Sequence, residues 1–164
     1  MPSVQKISPC LWFDGPALEA AEFYVSVFPN SKICSVSRYG EAGKEHHGKE
    51  PGEVMVAAFE LEGQSFTALN GGPMFKISEA VSFQINCDTQ EELDHYWDRL
   101  SEGGSVQQCG WLKDKFGVSW QVLPKILPKL MSGSDPVKSQ RAMMALMGMV
   151  KLDINALKHA YEGE

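Results

Sequence analysis

Two stretches of the chain share a pattern of hydrophobic and polar positions although few letters match. Residues 11–27 read LWFDGPALEAAEFYVSV and residues 84–100 read QINCDTQEELDHYWDRL, a shift of 73. Ala20, Phe23, Tyr24 and Val27 fall on Leu93, Tyr96, Trp97 and Leu100. That is the three-and-four spacing that gives a helix one apolar face. In each copy a short alternating run and a turn precede the helix. A second match, at a shift of 54, places Phe59, Gly63, Phe66 and Leu69 on Lys113, Gly117, Trp120 and Leu123. Two matched pairs in the same order indicate one duplicated module.

The elements follow from this pattern. In the first copy, 6–13 reads as a strand, Asp14-Gly15-Pro16 as a turn and 17–28 as a helix, with Pro near the helix start. Residues 31–39 lean to strand, and the polar, Gly-rich run 40–52 reads as a loop. Residues 53–61 and 65–69 form a hairpin turning at Gly63. In the second copy 79–86 is a strand. Thr89 and Glu92 fit a capping box for a helix reaching about residue 101. Gly103-Gly104 stops it, 106–112 is β-like, and 118–123 returns after a turn at Lys115-Phe116-Gly117. The first copy is longer by 73 − 54 = 19 residues, most of them in 40–52. Beyond Pro124 the repeat ends. Asp135-Pro136 starts a Met-rich helix to about residue 148, and Asp153 caps a last short helix through residue 160. The expected fold is α+β: two βαβββ modules, about 5–72 and 78–124, plus a helical tail over 125–164, all in one domain.

Charge and composition narrow the partners. The net charge is −6, with no basic patch to neutralise phosphates, so no nucleic acid is expected. No apolar run approaches the roughly 20 residues that cross a bilayer, and the opening MPSVQKISP lacks a signal-peptide core. No membrane association and a cytoplasmic location are expected. Cys10, Cys34, Cys87 and Cys109 include no C-x-x-C pair, which suits free thiols, with Cys10 and Cys87 buried in or beside strands.

Strand alternation assigns faces. Val81, Phe83, Ile85, Trp120 and Val122 should pack under the second helix, leaving Ser82, Gln84, Asn86, Ser119 and Gln121 on the other side. The two shifts carry this to Pro9, Leu11 and Phe13 with Ser65, Thr67 and Leu69. The expected ligand-binding cleft is therefore Leu11, Phe13, Thr67, Ser82, Gln84, Ser119 and Gln121. One wall is apolar and the other carries neutral hydrogen-bonding groups, with no carboxylate, Lys or Arg. Such a cleft suits a small, partly apolar organic molecule. It offers no group for acid–base chemistry, so no catalytic residue is assigned. The same polar groups can instead satisfy one another or water. Asn70-Gly71-Gly72 reads as a turn, with backbone N–H groups at the cleft mouth as the alternative. Trp12, Tyr24, Trp97 and Trp120 read as core. Met143, Met144, Met147 and Met149 read as core or dimer contact, or as a lid over the cleft. His46-His47 reads as solvated loop, and His95 and His159 as surface.

Three motifs point further: DG-x3-EAAEFY at 14–24, DKFGVSWQVLP at 114–124 and the tail RAMMALMGMVKLDINALKHAYEG. They resemble the PhnB-like branch of the vicinal oxygen chelate (glyoxalase/bleomycin resistance/dioxygenase) superfamily, over about residues 7–161. That branch often carries the label 3-demethylubiquinone-9 3-methyltransferase. The resemblance implies a glyoxalase-like curved mixed sheet and a homodimer. It also implies four metal-ligand positions, which fall on Ile7, Thr67, Ala80 and Gln121. Two of these are aliphatic and only Gln121 is a plausible donor, whereas a tight site needs three or four. No metal and no cofactor are expected. The function so implied is metal-independent binding of a small organic molecule. The alternatives are a lyase, isomerase or dioxygenase of the superfamily, or the methyltransferase of the label. The last would need a Gly-rich strand-to-helix turn, and the chain has no G-x-G-x-x-G.

Overall fold

The computed structural model describes residues 5–164, and the chain divides into two compact units, Met1–Ile77 and Ser78–Glu164. The first holds β1 (Cys10–Phe13), α1 (Ala17–Val27), β2 (Lys32–Arg38), α2 (Lys44–His47), β3 (Val54–Leu61) and β4 (Gln64–Asn70). Its sheet runs β1-β4-β3-β2, with β1 parallel to β4 and the other pairs antiparallel. The second holds β5 (Ser82–Cys87), α3 (Gln90–Ser101), β6 (Ser105–Val106), β7 (Trp111–Lys113), β8 (Ser119–Pro124), α4 (Leu127–Met131), α5 (Pro136–Met147) and α6 (Ile154–Glu162). Its sheet runs β5-β8-β7-β6, again with one parallel pair, β5 and β8. The expected α+β order of strand, helix and three strands is present twice, followed by tail helices.

α1 and α3 each pack on the sheet of their own unit. In the first unit α1 lies on β3 and β4. The small Ala17, Ala20 and Ala21 are buried there, and the Tyr24 ring stacks on Phe59, which stacks on Phe66. In the second unit α3 buries Leu93, Tyr96, Trp97 and Leu100 over β5, β7 and β8. Thr89 caps α3 by accepting the Glu92 N–H at 3.1 Å. The Glu92 carboxylate reaches back to the Asp88 N–H at 2.8 Å, one residue beyond the usual partner of a capping box.

The strand registers correct the ruler read from the repeat. Cys10 pairs with Thr67 in the first sheet, as Gln84 pairs with Gln121 in the second. Cys10 is thus the counterpart of Gln84, a strand shift of 74, whereas the helices keep 73. The difference sits in the turn. Three residues, Asp14 to Pro16, separate β1 from α1, but only Asp88 and Thr89 separate β5 from α3. A one-residue slip turns every side chain of a strand to the opposite face. Leu11 and Phe13 accordingly pair with Ala68 and Asn70 and are buried on the α1 side of the sheet. Cys10, expected to be buried, is exposed on the other face, while Cys87 is buried.

Other boundaries moved for local reasons. β1 begins at Cys10 because Pro9 has no N–H to give the ladder. β5 begins at Ser82, which leaves Val81 66% exposed instead of under the helix. The expected strand 106–112 breaks into β6 and β7, because Cys109 and Gly110 take left-handed conformations and donate to the tail carbonyls of Met149 and Val150. Within the expected loop 40–52, one helical turn forms as α2. α4, with a Pro in its first turn, has no counterpart among the elements expected from the sequence.

The tail belongs to the second unit. Asp135 caps α5 and Asp153 caps α6, as their positions in the sequence require. Arg141 donates to the carbonyls of Ala160 and Tyr161 and closes the end of α6. The tail does not bury its methionines: Met144 is 75% and Met147 61% exposed, and Met143 is exposed as well. They are therefore not core. Among the described residues no helix is long and apolar enough to cross a membrane.

Candidate functional site

The face of the second sheet turned away from α3 is built in rows, because neighbouring strands hold partnered residues on the same side. Lys113, Ser119 and Ser82 form one row across β7, β8 and β5. Trp111, Gln121 and Gln84 form the next, and Leu123 lies beside Asn86 in the third. The rows are about 7 Å apart, two strand residues at roughly 3.4 Å each. Phe83, Trp120, Ile85 and Val122 occupy the alternate positions, with Phe83 and Trp120 in ring contact at 5.4 Å.

Three of the expected residues are joined on this face. The Gln121 amide nitrogen donates to Ser82 Oγ at 2.9 Å, and its amide oxygen accepts the Gln84 Nε2–H at 3.4 Å. Ser119 stands beside Ser82 and is 1% exposed, and its Oγ has no hydrogen-bond partner among the described residues. A hydroxyl buried in this way is uncommon, since buried polar atoms are nearly always paired.

The face is not free of charge, contrary to the sequence expectation. Lys113 Nζ is hydrogen-bonded to the carboxylate of Glu79, which lies in the turn before β5. The bond and the charge of Lys113 hold the Glu79 carboxyl below its ordinary range. Lys113 is the β7 neighbour of Ser119 in its row, and Glu79 lies three residues before Ser82, the member of that row on β5. Lys113 lies just beyond the expected strand 106–112 and Trp111 at its end, so neither enters the cleft expected from the sequence. The two-residue alternation that puts Ser119 and Gln121 on one face places Trp111 and Lys113 with them.

In the first unit, Thr67 lies on the face away from α1, paired with Cys10 and Ala58. Ser65, Leu69 and Trp12 share that face. The Trp12 indole donates to the Gly72 carbonyl at 2.8 Å and meets Phe75 edge-on at 4.9 Å. Trp12 is therefore only half-buried, not core. Asn70 is not part of a plain turn. Its side chain is buried and accepts the N–H groups of Gly15 and Ala17 at the start of α1. Nor is His47 a solvated loop residue: it sits on the Tyr39 ring at 4.6 Å and accepts the Lys49 N–H at 2.9 Å.

The residues at the implied metal positions do not fit a divalent ion. Ile7 is 84% exposed and precedes β1, and Ala80 lies in a turn before β5. With the corrected strand shift the counterpart of Ala80 becomes Lys6, also exposed. Thr67 is a weak donor, and both ends of the Gln121 amide are engaged. Among the described residues no three His, Cys, Asp or Glu side chains converge.

Comparison with known proteins gives a consistent picture. Residues 5–123 match the family model described as 3-demethylubiquinone-9 3-methyltransferase. A solved PhnB protein from Bacillus cereus, described as a putative 3-demethylubiquinone-9 3-methyltransferase, is similar at 38% identity with a TM-score of 0.64. The match covers 73% of this chain and 99% of that one. Protein PA1353 from Pseudomonas aeruginosa is similar at 25% identity with a TM-score of 0.59, over 74% of this chain and 98% of that one. No curated protein matches the chain.

Proposed function

Since the chain belongs to the 3-demethylubiquinone-9 3-methyltransferase family of PhnB-like proteins, with a glyoxalase-type fold, we propose that it binds a small organic molecule without a resident divalent metal. The ligand lies on the face of Ser82, Gln84, Ser119 and Gln121. The observation that carries this reading is the network of Gln84, Gln121 and Ser82, turned away from α3, beside a buried hydroxyl with no partner. Neutral amides and hydroxyls orient a ligand, and the neighbouring Trp111 and Leu123 supply apolar contact. The protein acts as a homodimer in the cytoplasm under the same proposal.

A thermal-shift screen of aromatic and phenolic compounds, followed by calorimetry, tests it. A compound that raises the melting temperature of the wild type should lose its effect on Gln121→Leu, whose fold is checked by circular dichroism. A screen with no hit counts against binding. S-adenosylmethionine in the same screen tests the methyl transfer named in the family description, and no binding is expected.

A further inference from the structure

We propose that the Lys113–Glu79 ion pair holds the place of an anionic group on the ligand, so that the molecule bound is a small organic carboxylate. The proposal rests on the binding reading above and adds the chemical class. Ser119 Oγ is buried and lacks a partner, which leaves one hydroxyl able to donate to an incoming oxygen. Lys113 occupies the neighbouring position in the same row and is the cation of that row. Its partner Glu79 comes from a turn outside the regular strand, and its side chain is half exposed. A carboxylate on such a turn can rotate into water at small cost. An ion pair open to solvent is only weakly held, so a ligand carboxylate able to accept from both Lys113 and Ser119 competes with it.

The other rows set the shape of the molecule. Moving along the strands from Lys113 and Ser119, the face passes to the Trp111 indole and the Gln84–Gln121 amides, then to Leu123. An anionic head at the first row therefore leaves an aromatic or apolar body over the second and third, roughly 7 to 14 Å away at the strand rise. The lowered range of the Glu79 carboxyl agrees with a competitor that stays ionised and engaged when no ligand is present.

The test uses matched probes on the full chain: benzoate and phenylacetate against benzamide and phenylacetamide, followed by amide chemical shifts and calorimetry. The acids should bind more tightly than the amides, moving the signals of Lys113 and Ser119, and should weaken as salt is raised. Glu79→Gln should tighten the acids roughly two- to fivefold, the range of an exposed ion pair. Lys113→Met should abolish the preference for acid over amide, and Lys113→Arg should restore it. Both positions are at the surface, and circular dichroism verifies the fold of each variant. Amides binding as well as acids, with no change in Glu79→Gln, would overturn the carboxylate assignment and leave the binding reading standing. No binding of either class to this face would overturn both.

Discussion

The side-chain oxygen of Asn70 accepts the backbone N–H of Ala17 at 3.0 Å. It also accepts the N–H of Gly15, while its amide nitrogen donates to the Val54 carbonyl at 3.1 Å. Pro16 stands at the N-cap of α1 and its ring carries no acceptor, so the last residue of a neighbouring strand supplies one. The second module does this differently. There the position matching Asn70 is Pro124, and α3 is capped by its own Thr89. Asn70→Ala should therefore cost about 2 kcal/mol, since buried N–H groups lose their acceptor, against about 1 kcal/mol for Thr89→Ala. Asn70→Asp keeps the acceptor for both N–H groups but sets a carboxylate oxygen against the Val54 carbonyl, and should recover only part of the Asn70→Ala loss. Urea denaturation of the three variants gives the order directly.

Asp114 plays a comparable part in the second sheet. Its Oδ1 accepts the N–H groups of Phe116 and Val118, and its Oδ2 accepts the Trp120 indole N–H at 2.8 Å. The carboxylate shapes the turn into β8 and fixes the indole beneath the binding face. Asp114→Asn places an amide donor against either the indole or the turn, and should cost about 2 kcal/mol. A double-mutant cycle with Trp120→Phe should show coupling, because the two residues share one bond. Independent, additive losses would contradict this arrangement.

These two residues mark how far the sequence could be read. The helices were legible because Leu93, Tyr96, Trp97 and Leu100 repeat at helical spacing, and because Thr89, Asp135 and Asp153 are cap residues with local partners. The face of the second sheet was legible from strict alternation about Gln121. The matching face of the first sheet was not. One extra residue in the turn Asp14–Pro16 slips β1 against the helix, and Leu11 and Phe13 end in the core while Cys10 and Trp12 turn outward. The break of strand 106–112 was hidden for another reason: the partners of Cys109 and Gly110 lie some 40 residues on, at Met149 and Val150. Local pattern does not carry that information.

Gly104 tests the packing behind Lys113. A Cβ there would lie 2.0 Å from the Lys113 carbonyl oxygen and 2.9 Å from the Asp114 carbonyl carbon, both backbone atoms. Main chain held in a sheet cannot give way as a flexible side chain can. Gly104→Ala should lose more than about 2 kcal/mol and disturb the β6–β7 pairing. Gly40, with nothing within 4 Å of its would-be Cβ, is the control, and Gly40→Ala should be nearly neutral. Thermal melts compare the two, and amide exchange of Lys113 reports whether the pairing is lost.

Cys87 predicts a pH dependence of stability. Burial pushes its thiol from the ordinary 9.0 up to about 12, helped by the charges of Glu92 and Asp88. The folded protein therefore keeps the proton through a range in which the unfolded chain releases it. Ionisation of the unfolded state pulls the equilibrium toward unfolding, so this contribution is complete below about pH 9 and is lost as pH rises toward about 12. Stability of the wild type should fall as pH rises from about 9 toward about 12, and Cys87→Ala should fall less over the same interval. Cys10→Ala, at an exposed position, should leave the wild-type slope unchanged. Thiol labelling gives a second readout. Cys10 and Cys34 should react with a disulfide reagent in the native state, and Cys87 only on unfolding, because its sulfur is both buried and protonated. Equal native reactivity of Cys87 and Cys10 would show that the strand end beside Pro124 opens freely.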